Sequence, residues 1–273
     1  MLLSNAVQFR AFAIDLDGTL LLPDETISPR NQAAVRAALD AGFEIIIATA
    51  RWYRMAEHVG AMFGLRGPAI ACSGAQVRRL DETADADLFD VRLPPKFVAS
   101  LYNVCDEQRC VATVALGHDV VIKLEGEIDP AELPPGLRQV PSLRSTAPEV
   151  PRIALIQGTA ASRRIVEELA PEWEERVRFT ESVSSQGKII LTLTAVGADK
   201  GLALAVACKD LGLAPSEVVA IGDADNDIEM FDLAGASYAM GQAGEAVRAA
   251  ATDITATNAD DGVAVAIERV LAG

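Results

Sequence analysis

Histidine and cysteine are both scarce in this chain of 273 residues. The two histidines, His58 and His118, have no candidate ligands beside them in the sequence, which argues against a zinc site and against a histidine-based catalytic triad. The four cysteines form no Cys-x-x-Cys pair, and a chain of this length does not need disulfides to fold. We therefore expect reduced, structural thiols of the kind found in cytoplasmic proteins.

The chain also has few positively charged residues. It contains 24 Lys and Arg residues and 39 Asp and Glu residues, which gives a net charge of −15. This balance argues against a basic surface for nucleic acid and against docking on anionic membranes. No apolar run reaches the roughly 20 residues that span a bilayer, and residues 1–10 lack the basic and apolar segments of a signal peptide. We expect a cytoplasmic monomer or homodimer that binds neither nucleic acid nor membrane.

The most informative stretch follows an apolar run near the start of the chain. Residues 11–14 predict a buried strand, and Asp15-Leu16-Asp17-Gly18-Thr19 comes directly after it. Two carboxylates one residue apart, where a strand meets a turn, suit a divalent cation better than a core. Gly18 allows the chain to turn sharply and a ligand to approach the backbone. An ordinary Asp-Gly turn remains the alternative for these residues taken alone.

Two further strands of the same pattern end in small polar residues. A second buried strand, residues 43–48, is followed by Thr49-Ala50-Arg51, and a third, residues 69–72, is followed by Ser73. Helical segments separate the three strands, which is typical of a parallel α/β sheet. Because parallel strands end at one edge, we expect Asp15, Thr49 and Ser73 to share the same edge of one sheet.

The pattern changes in the middle of the chain. From about residue 92 to residue 188, two strand-helix-strand units of similar size predict a small α+β domain with its own sheet. The parallel pattern resumes afterwards. We therefore expect a discontinuous α/β core of residues 1–91 and 190–273, interrupted by an inserted domain of residues 92–189.

A second acidic cluster follows the predicted strand 218–221, where the sequence reads Gly222-Asp223-Ala224-Asp225-Asn226-Asp227. Its alternating aspartates have the spacing of a calcium loop, but Ile228 and Ala234 occupy the positions that need glycine and glutamate, so an EF-hand is excluded. One aspartate could cap the following helix, but capping cannot account for all three. Lys200 stands at the start of a predicted helix, where its charge opposes the helix dipole, and a solvated lysine is the alternative.

The polar motifs occur in a fixed order along the chain: DLDGT at 15–19, ATAR at 48–51, DKG at 199–201 and GDADND at 222–227. This ordered set resembles the haloacid dehalogenase (HAD) superfamily of phosphotransferases, and most closely its Cof-like branch, whose cap domain is inserted between the second and third motifs. Residues 239–241 and 257–263 also resemble that branch. Two positions depart from it: Ala50 stands where the branch usually has glycine, and Ser73 stands where it often has asparagine.

The resemblance implies a Rossmann-like parallel-sheet core with an inserted α+β cap, and it assigns a role to each motif. Asp15 is expected to be the nucleophile that becomes an aspartyl phosphate, and Asp17 the general acid and then the base. One Mg²⁺ ion is expected on Asp15, the backbone carbonyl of Asp17 and Asp223, supported by Asp227. The residues expected to contact the substrate are Thr49, Lys200, Asn226 and Arg51.

The same resemblance implies a Mg²⁺-dependent phosphatase that acts on a small phosphorylated metabolite, with a sugar phosphate as the first candidate by family analogy. Two alternatives stay open at this stage. One is a phosphomutase with a similar cap, and the other is a non-catalytic protein that binds phosphorylated ligands. Within the predicted cap, Lys123 and Lys188 are candidate substrate contacts, although surface lysines are the more ordinary interpretation.

Overall fold

The structure is a computed structural model that describes residues 8–81, 87–117, 119–126, 128–129, 133, 136–183 and 187–273. The chain divides into two compact units. The first unit contains the chain up to Phe89 together with Asp199–Gly273, and the second contains Asp90–Ala198. No helix of the described residues is long and apolar enough to cross a membrane.

The helices and strands of the described residues alternate through most of the chain. The strands are β1 (Ala11–Ile14), β2 (Glu44–Ile47), β3 (Pro68–Ala71), β4 (Gln76–Arg79), β5 (Phe89–Asp90), β6 (Val111–Leu116), β7 (Asp119–Lys123), β8 (Leu137–Gln139), β9 (Ile153–Gln157), β10 (Val177–Val183), β11 (Ile189–Ala195), β12 (Val218–Gly222), β13 (Ala236–Ala239) and β14 (Asp253–Ile254). The helices are α1 (Pro29–Asp40), α2 (Tyr53–Phe63), α3 (Pro95–Glu107), α4 (Thr159–Trp173), α5 (Lys200–Leu211), α6 (Ile228–Leu233), α7 (Glu245–Ala250) and α8 (Gly262–Leu271).

A parallel sheet with the strand order β14-β13-β12-β1-β2 forms the centre of the first unit. All four residues of β1 are buried, as expected of a strand with a neighbour on each side and helices in the same unit. The register aligns Ile14 with both Ile221 and Ile47. The polar residues that follow these three strands therefore emerge at one edge of the sheet, which confirms the predicted α/β class.

The third predicted strand departs from that arrangement. β3 pairs antiparallel with β4 in a small separate sheet, and a single bridge between Ala48 and Ile70 connects it to the end of β2. The chain turns back because Cys72, Ser73 and Gly74 all adopt left-handed backbone angles. The prediction that Ser73 ends a strand of the main sheet is wrong. Ser73 nevertheless lies beside Thr49, because its backbone N–H donates to the Thr49 carbonyl at 3.2 Å.

Local sequence signals position α1 as predicted. Ser28 is its N-cap and accepts a hydrogen bond from the backbone of Asn31, and proline occupies the first helical turn. The buried Asn31 side chain in turn accepts from the backbone of Ala264 at 2.9 Å, so α1 and α8 are joined by a side-chain hydrogen bond as well as by apolar contact.

The second unit has its own six-stranded sheet with the order β10-β11-β9-β6-β7-β8. Its core includes Phe97 of α3 and Trp173 of α4, whose ring centroids lie 5.7 Å apart. β11 runs as far as Ala195, where it pairs with Val177, so this unit continues to Ala198 whereas the predicted insert stops at residue 189. β8 falls in a proline-rich passage for which the sequence predicts no strand. His118 lies outside the described residues.

Lys123 has a structural position that the sequence did not indicate. Its side chain is buried, and its ammonium group donates to the backbone carbonyls of Cys105 and Gln108 at 2.7 and 2.9 Å. These carbonyls belong to the end of α3, where a positive charge is favourable. The interpretation of Lys123 as a surface lysine is therefore wrong, whereas Lys188 is exposed.

Candidate active site

Lys200 lies at the centre of the polar groups collected at the edge of the first unit's sheet. It is the first residue of α5, and the preceding Asp199 caps the helix by accepting from the backbone of Leu202. The Lys200 side chain is fully buried and donates to one oxygen of Asp15 and one oxygen of Asp227, each at 2.6 Å. A buried ammonium needs such partners, so the alternative of a solvated lysine is wrong.

Three carboxylates converge on this lysine. Oxygen atoms of Asp15, Asp223 and Asp227 lie within 4.8 Å of one another. Burial raises the pKa of Asp15 well above its usual range; Lys200 opposes this only in part, and the two neighbouring carboxylates add to it. Burial also raises the pKa of Asp223 to about 6, although a hydrogen bond from Thr19 acts in the opposite direction.

The charge of the lysine is maintained by the same groups. Burial by itself would lower the pKa of Lys200, but the charges and hydrogen bonds of Asp15 and Asp227 outweigh it and raise that pKa. A single ammonium does not balance three neighbouring carboxylates. The surplus of negative charge on oxygen ligands is the environment in which a hard divalent cation binds.

Asp227 connects the lysine to the loop after β12. One of its oxygens accepts from Lys200, and the other accepts from the backbone N–H groups of Asp223 and Ala224 at 3.0 Å each. Gly222 makes this possible, because a Cβ atom at that position would overlap the Asp227 carboxylate. Asp227 therefore fixes the backbone from which Asp223 projects.

The loop after β1 is built around Asp223 as well. Gly18 has a left-handed φ of +76°, and a Cβ atom there would overlap the Asp223 carboxylate. The hydroxyl of Thr19 donates to Asp223 at 2.9 Å. Thr19 was not predicted as a site residue, although it lies within the first motif and its buried position is consistent with this contact.

Two residues from distant parts of the sequence support the same loop. Gln242 donates to the carbonyl of Gly18 at 2.6 Å, and the buried Asn258 side chain donates to the carbonyl of Thr19 at 2.7 Å. The backbone of Asn258 also donates to the Gln242 side chain at 2.8 Å. Asn258 belongs to a C-terminal stretch that carries the family resemblance, but no local pattern in the sequence indicates Gln242.

Asp17 lies at the exposed side of this group. Both of its carboxylate oxygens accept from the guanidinium of Arg51, at 2.8 Å from Nε and 2.5 Å from Nη2. The remaining terminal nitrogen of Arg51 donates to Glu25 at 2.6 Å. Sequence reasoning identified Asp17 and Arg51 but not Glu25.

Thr49 and Asn226 complete the predicted set. Thr49 is fully buried, and its hydroxyl oxygen accepts from the backbone of Arg51 at 3.0 Å. The side-chain oxygen of Asn226 is buried and has no hydrogen-bond partner among the described residues. Lys200 thus bonds to Asp15 and Asp227, and Asp223 lies beside them. Arg51 contacts both Asp17 and Thr49.

Two curated phosphatases match this chain over nearly their whole length. The pyridoxal phosphate phosphatase YbhA of Escherichia coli is 28% identical over 277 residues, which cover 93% of this chain and 96% of that protein. The 5-amino-6-(5-phospho-D-ribitylamino)uracil phosphatase YitU of Bacillus subtilis is 28% identical over 259 residues, which cover 92% of this chain and 94% of that protein.

The fold also matches a solved structure. A haloacid dehalogenase-like hydrolase from Bacteroides thetaiotaomicron superposes with a TM-score of 0.80 and 27% sequence identity, covering 96% of this chain and all of that chain. The family model for haloacid dehalogenase-like hydrolases matches residues 12–267, a range that contains every site residue described above. The chain belongs to the haloacid dehalogenase-like hydrolase family.

Proposed function

We propose that this chain is a Mg²⁺-dependent phosphatase that hydrolyses a small phosphorylated metabolite through an aspartyl-phosphate intermediate. The observation that carries the proposal is the buried carboxylate of Asp15, bonded to Lys200 and surrounded by oxygen atoms of Asp223 and Asp227. Phosphoryl transfer depends mainly on positioning and on neutralising negative charge. This group of residues supplies both.

The oxygen ligands fit magnesium. We assign the ion to Asp15, the backbone carbonyl of Asp17 and Asp223, with Asp227 as support, because both Asp227 oxygens already accept hydrogen bonds. When bound, Mg²⁺ supplies positive charge that offsets the repulsion between a carboxylate and a phosphate dianion. Lys200 contributes to the same balance from within the protein.

In the first step, an oxygen of Asp15 attacks phosphorus and the bond from phosphorus to the leaving oxygen breaks. Asp17 donates its proton to that leaving oxygen. In the second step, water attacks the phosphorus of the aspartyl phosphate and returns a proton to Asp17. The bond to Asp15 then breaks and inorganic phosphate is released.

The phosphoryl oxygens are assigned to Thr49, Lys200 and Asn226. Thr49 uses its hydroxyl oxygen to accept from the backbone of Arg51, so its hydroxyl proton remains available to a ligand. Asn226 has a buried side-chain oxygen without a partner. Arg51 was predicted to contact the substrate, and its guanidinium is held by Asp17 and Glu25.

The names of the relatives suggest which substrates to try. Those proteins act on pyridoxal phosphate and on a phosphorylated ribitylamino uracil, and a sugar phosphate remains the candidate from family analogy. We assign specificity to residues 90–198, acting as a cap. We place the enzyme in the cytoplasm, because none of its four cysteines, all of which the structure describes, forms a disulfide.

The test is release of inorganic phosphate from these three substrate classes, with Mg²⁺ or with EDTA. We expect metal-dependent turnover in the wild type and none above background in Asp15→Asn, because the nucleophile is lost. Asp225→Asn is the matched control, since Asp225 is an exposed aspartate of the same acidic loop and should retain activity.

Turnover that persists in Asp15→Asn would contradict the mechanism. Absence of release by folded wild-type protein with Mg²⁺ would contradict the phosphatase assignment. In that case, incubation with a sugar bisphosphate would distinguish the phosphomutase from a protein that only binds phosphorylated ligands.

A further inference from the structure

The segment 240–243, which follows β13, contacts both of the loops that carry the acidic residues of the site. The backbone N–H of Met240 donates to the carbonyl of Gly222 at 2.9 Å. The side-chain amide of Gln242 donates to the carbonyl of Gly18 at 2.6 Å. Each of these two glycines is the sequence neighbour of a residue assigned to the metal ion. One short segment is therefore hydrogen-bonded beside two groups of the proposed metal site.

The amide group of Gln242 is held at both ends. Its oxygen accepts from the backbone N–H of Asn258 at 2.8 Å, while its nitrogen donates to Gly18. The side chain of Asn258 donates to the next part of the same loop, at 2.7 Å from the carbonyl of Thr19 and 3.2 Å from that of Leu21. Because an amide has distinct donor and acceptor ends, the contact with Asn258 fixes which end of Gln242 faces Gly18.

The loop after β1 has its greatest backbone freedom at Gly18. This residue has a φ of +76°, and glycine has access to more backbone conformations than any other residue type. The N–H groups of Thr19 and Leu20 donate to carbonyls within the loop at 3.2 Å each, which is longer than the 2.6 Å contact of Gln242. The planar peptide groups on either side of Gly18 meet at its Cα atom, so fixing the carbonyl of Gly18 limits how far the carbonyl of Asp17 can turn.

We infer that Gln242 is a positioning residue for the divalent cation. By holding the loop at Gly18, which lies directly against the Asp223 carboxylate, it keeps the backbone carbonyl of Asp17 in place as a ligand. This inference rests on the proposed function, because the metal ligands are those assigned there. It concerns the backbone of Asp17 and does not depend on the protonation of any side chain. Gln242 acts through the loop and is assigned no contact with the ion or with the substrate.

The first measurement is Mg²⁺ binding to the folded protein without substrate, by isothermal titration calorimetry. Gln242→Met keeps the length of the side chain and removes both hydrogen bonds of its amide. We expect this variant to bind Mg²⁺ about tenfold more weakly, at the lower end of the range seen when groups that support metal ligands are lost. Because Gln242 is exposed, we expect the midpoint of its urea denaturation in EDTA to stay close to that of the wild type.

The second measurement follows the loop in the absence of metal. In EDTA, hydrogen exchange of the backbone N–H groups of residues 16–21 should be faster in Gln242→Met than in the wild type, because the loop opens more often. This quantity depends neither on catalysis nor on bound Mg²⁺. It therefore shows whether a weaker metal site is accompanied by the change in the loop that the inference requires.

Gln32→Met is the matched control. Gln32 also donates its side-chain amide to a backbone carbonyl, that of Ile27 at 2.8 Å, and it belongs to neither acidic loop. The control thus removes the same kind of hydrogen bond from the same unit. We expect its Mg²⁺ affinity and the hydrogen exchange of residues 16–21 to match those of the wild type.

Unchanged Mg²⁺ affinity or unchanged loop exchange in Gln242→Met would overturn the inference, and so would an equal loss of affinity in Gln32→Met. If the wild type binds no Mg²⁺, or if its binding survives Asp223→Asn, the metal site of the proposed function fails and the inference fails with it. Binding that Asp223→Asn abolishes and that Gln242→Met leaves unchanged overturns the inference alone.

Discussion

At the scale of single residues, two glycines decide how closely the acidic side chains can approach. Gly18 and Gly222 each occupy a place where a Cβ atom would overlap an aspartate of the site. Their local sequence shows a turn after a strand, but it does not show which carboxylate comes near. That information depends on the pairing of β1 with β12, whose residues are about 200 positions apart in the chain.

Gly18→Ala should weaken Mg²⁺ binding by more than about tenfold, because the added methyl group displaces Asp223 from its place beside Asp15. Binding can be measured by isothermal titration calorimetry with the folded protein. Gly42→Ala provides the control, since Gly42 has a similar positive φ of +88° but open space around its Cβ position.

Both alanine variants should lose about 1 kcal/mol of stability from the left-handed backbone, and only Gly18→Ala should lose metal affinity. Equal Mg²⁺ affinity in the two variants would show that Asp223 does not help to hold the ion.

The motifs themselves were predictable at this scale. Asp15, Lys200 and Asp223 were identified from their order and from the strand ends beside them, and the structure brings them together. Glu25 and Gln242 could not be identified, because their contacts come from chain segments with no distinctive sequence pattern.

At the scale of secondary-structure elements, the position of the site depends on where the strands β1, β2 and β12 end. The parallel register of β1, β2 and β12 follows from buried apolar runs of similar length, which the sequence shows clearly. The reversal after β3 was not predictable, because left-handed angles at Cys72 and Ser73 are set by the surrounding fold and neither residue type favours them.

We predict that Lys123 stabilises the C-terminal end of α3. Lys123→Met removes the ammonium that donates to the carbonyls of Cys105 and Gln108, and the loss of these two charged hydrogen bonds should cost about 1–3 kcal/mol of unfolding free energy. Urea denaturation measures this change.

Lys96→Met serves as the control on the same helix. Lys96 is exposed in the first turn of α3, where a positive charge is unfavourable, so its loss should change stability by less than about 0.5 kcal/mol. A Lys123→Met variant as stable as the wild type would show that the ammonium does not cap α3.

At the scale of the whole molecule, the residues proposed to carry the chemistry lie in one unit, and the six-stranded, mainly antiparallel sheet lies in the other. Every residue assigned to the chemistry lies in the first unit, in the segments 15–51 and 199–227. The change from a parallel to a mixed pattern near residue 92 was visible in the sequence. The sequence did not show where the second unit ends, because β11 belongs to that unit only through its pairing with β9 and β10.

Replacing residues 90–198 by a short glycine-serine linker should therefore leave the catalytic groups in place. We expect the shortened protein to retain Mg²⁺-dependent hydrolysis of p-nitrophenyl phosphate and to lose its ability to discriminate among phosphorylated metabolites. The ratios of kcat/KM across the substrate panel measure this. Unchanged discrimination would show that specificity is not determined by residues 90–198.

In the proposed mechanism, Asp15 carries the phosphoryl group during turnover. The most direct measurement is to quench the enzyme with acid while it hydrolyses its best substrate, reduce the acyl phosphate with borohydride and locate the modified residue by peptide mass spectrometry. We predict modification at Asp15, dependent on both Mg²⁺ and substrate. Modification at Asp17 or Asp223, or none at all while phosphate is being released, would contradict the role of Asp15 as the nucleophile.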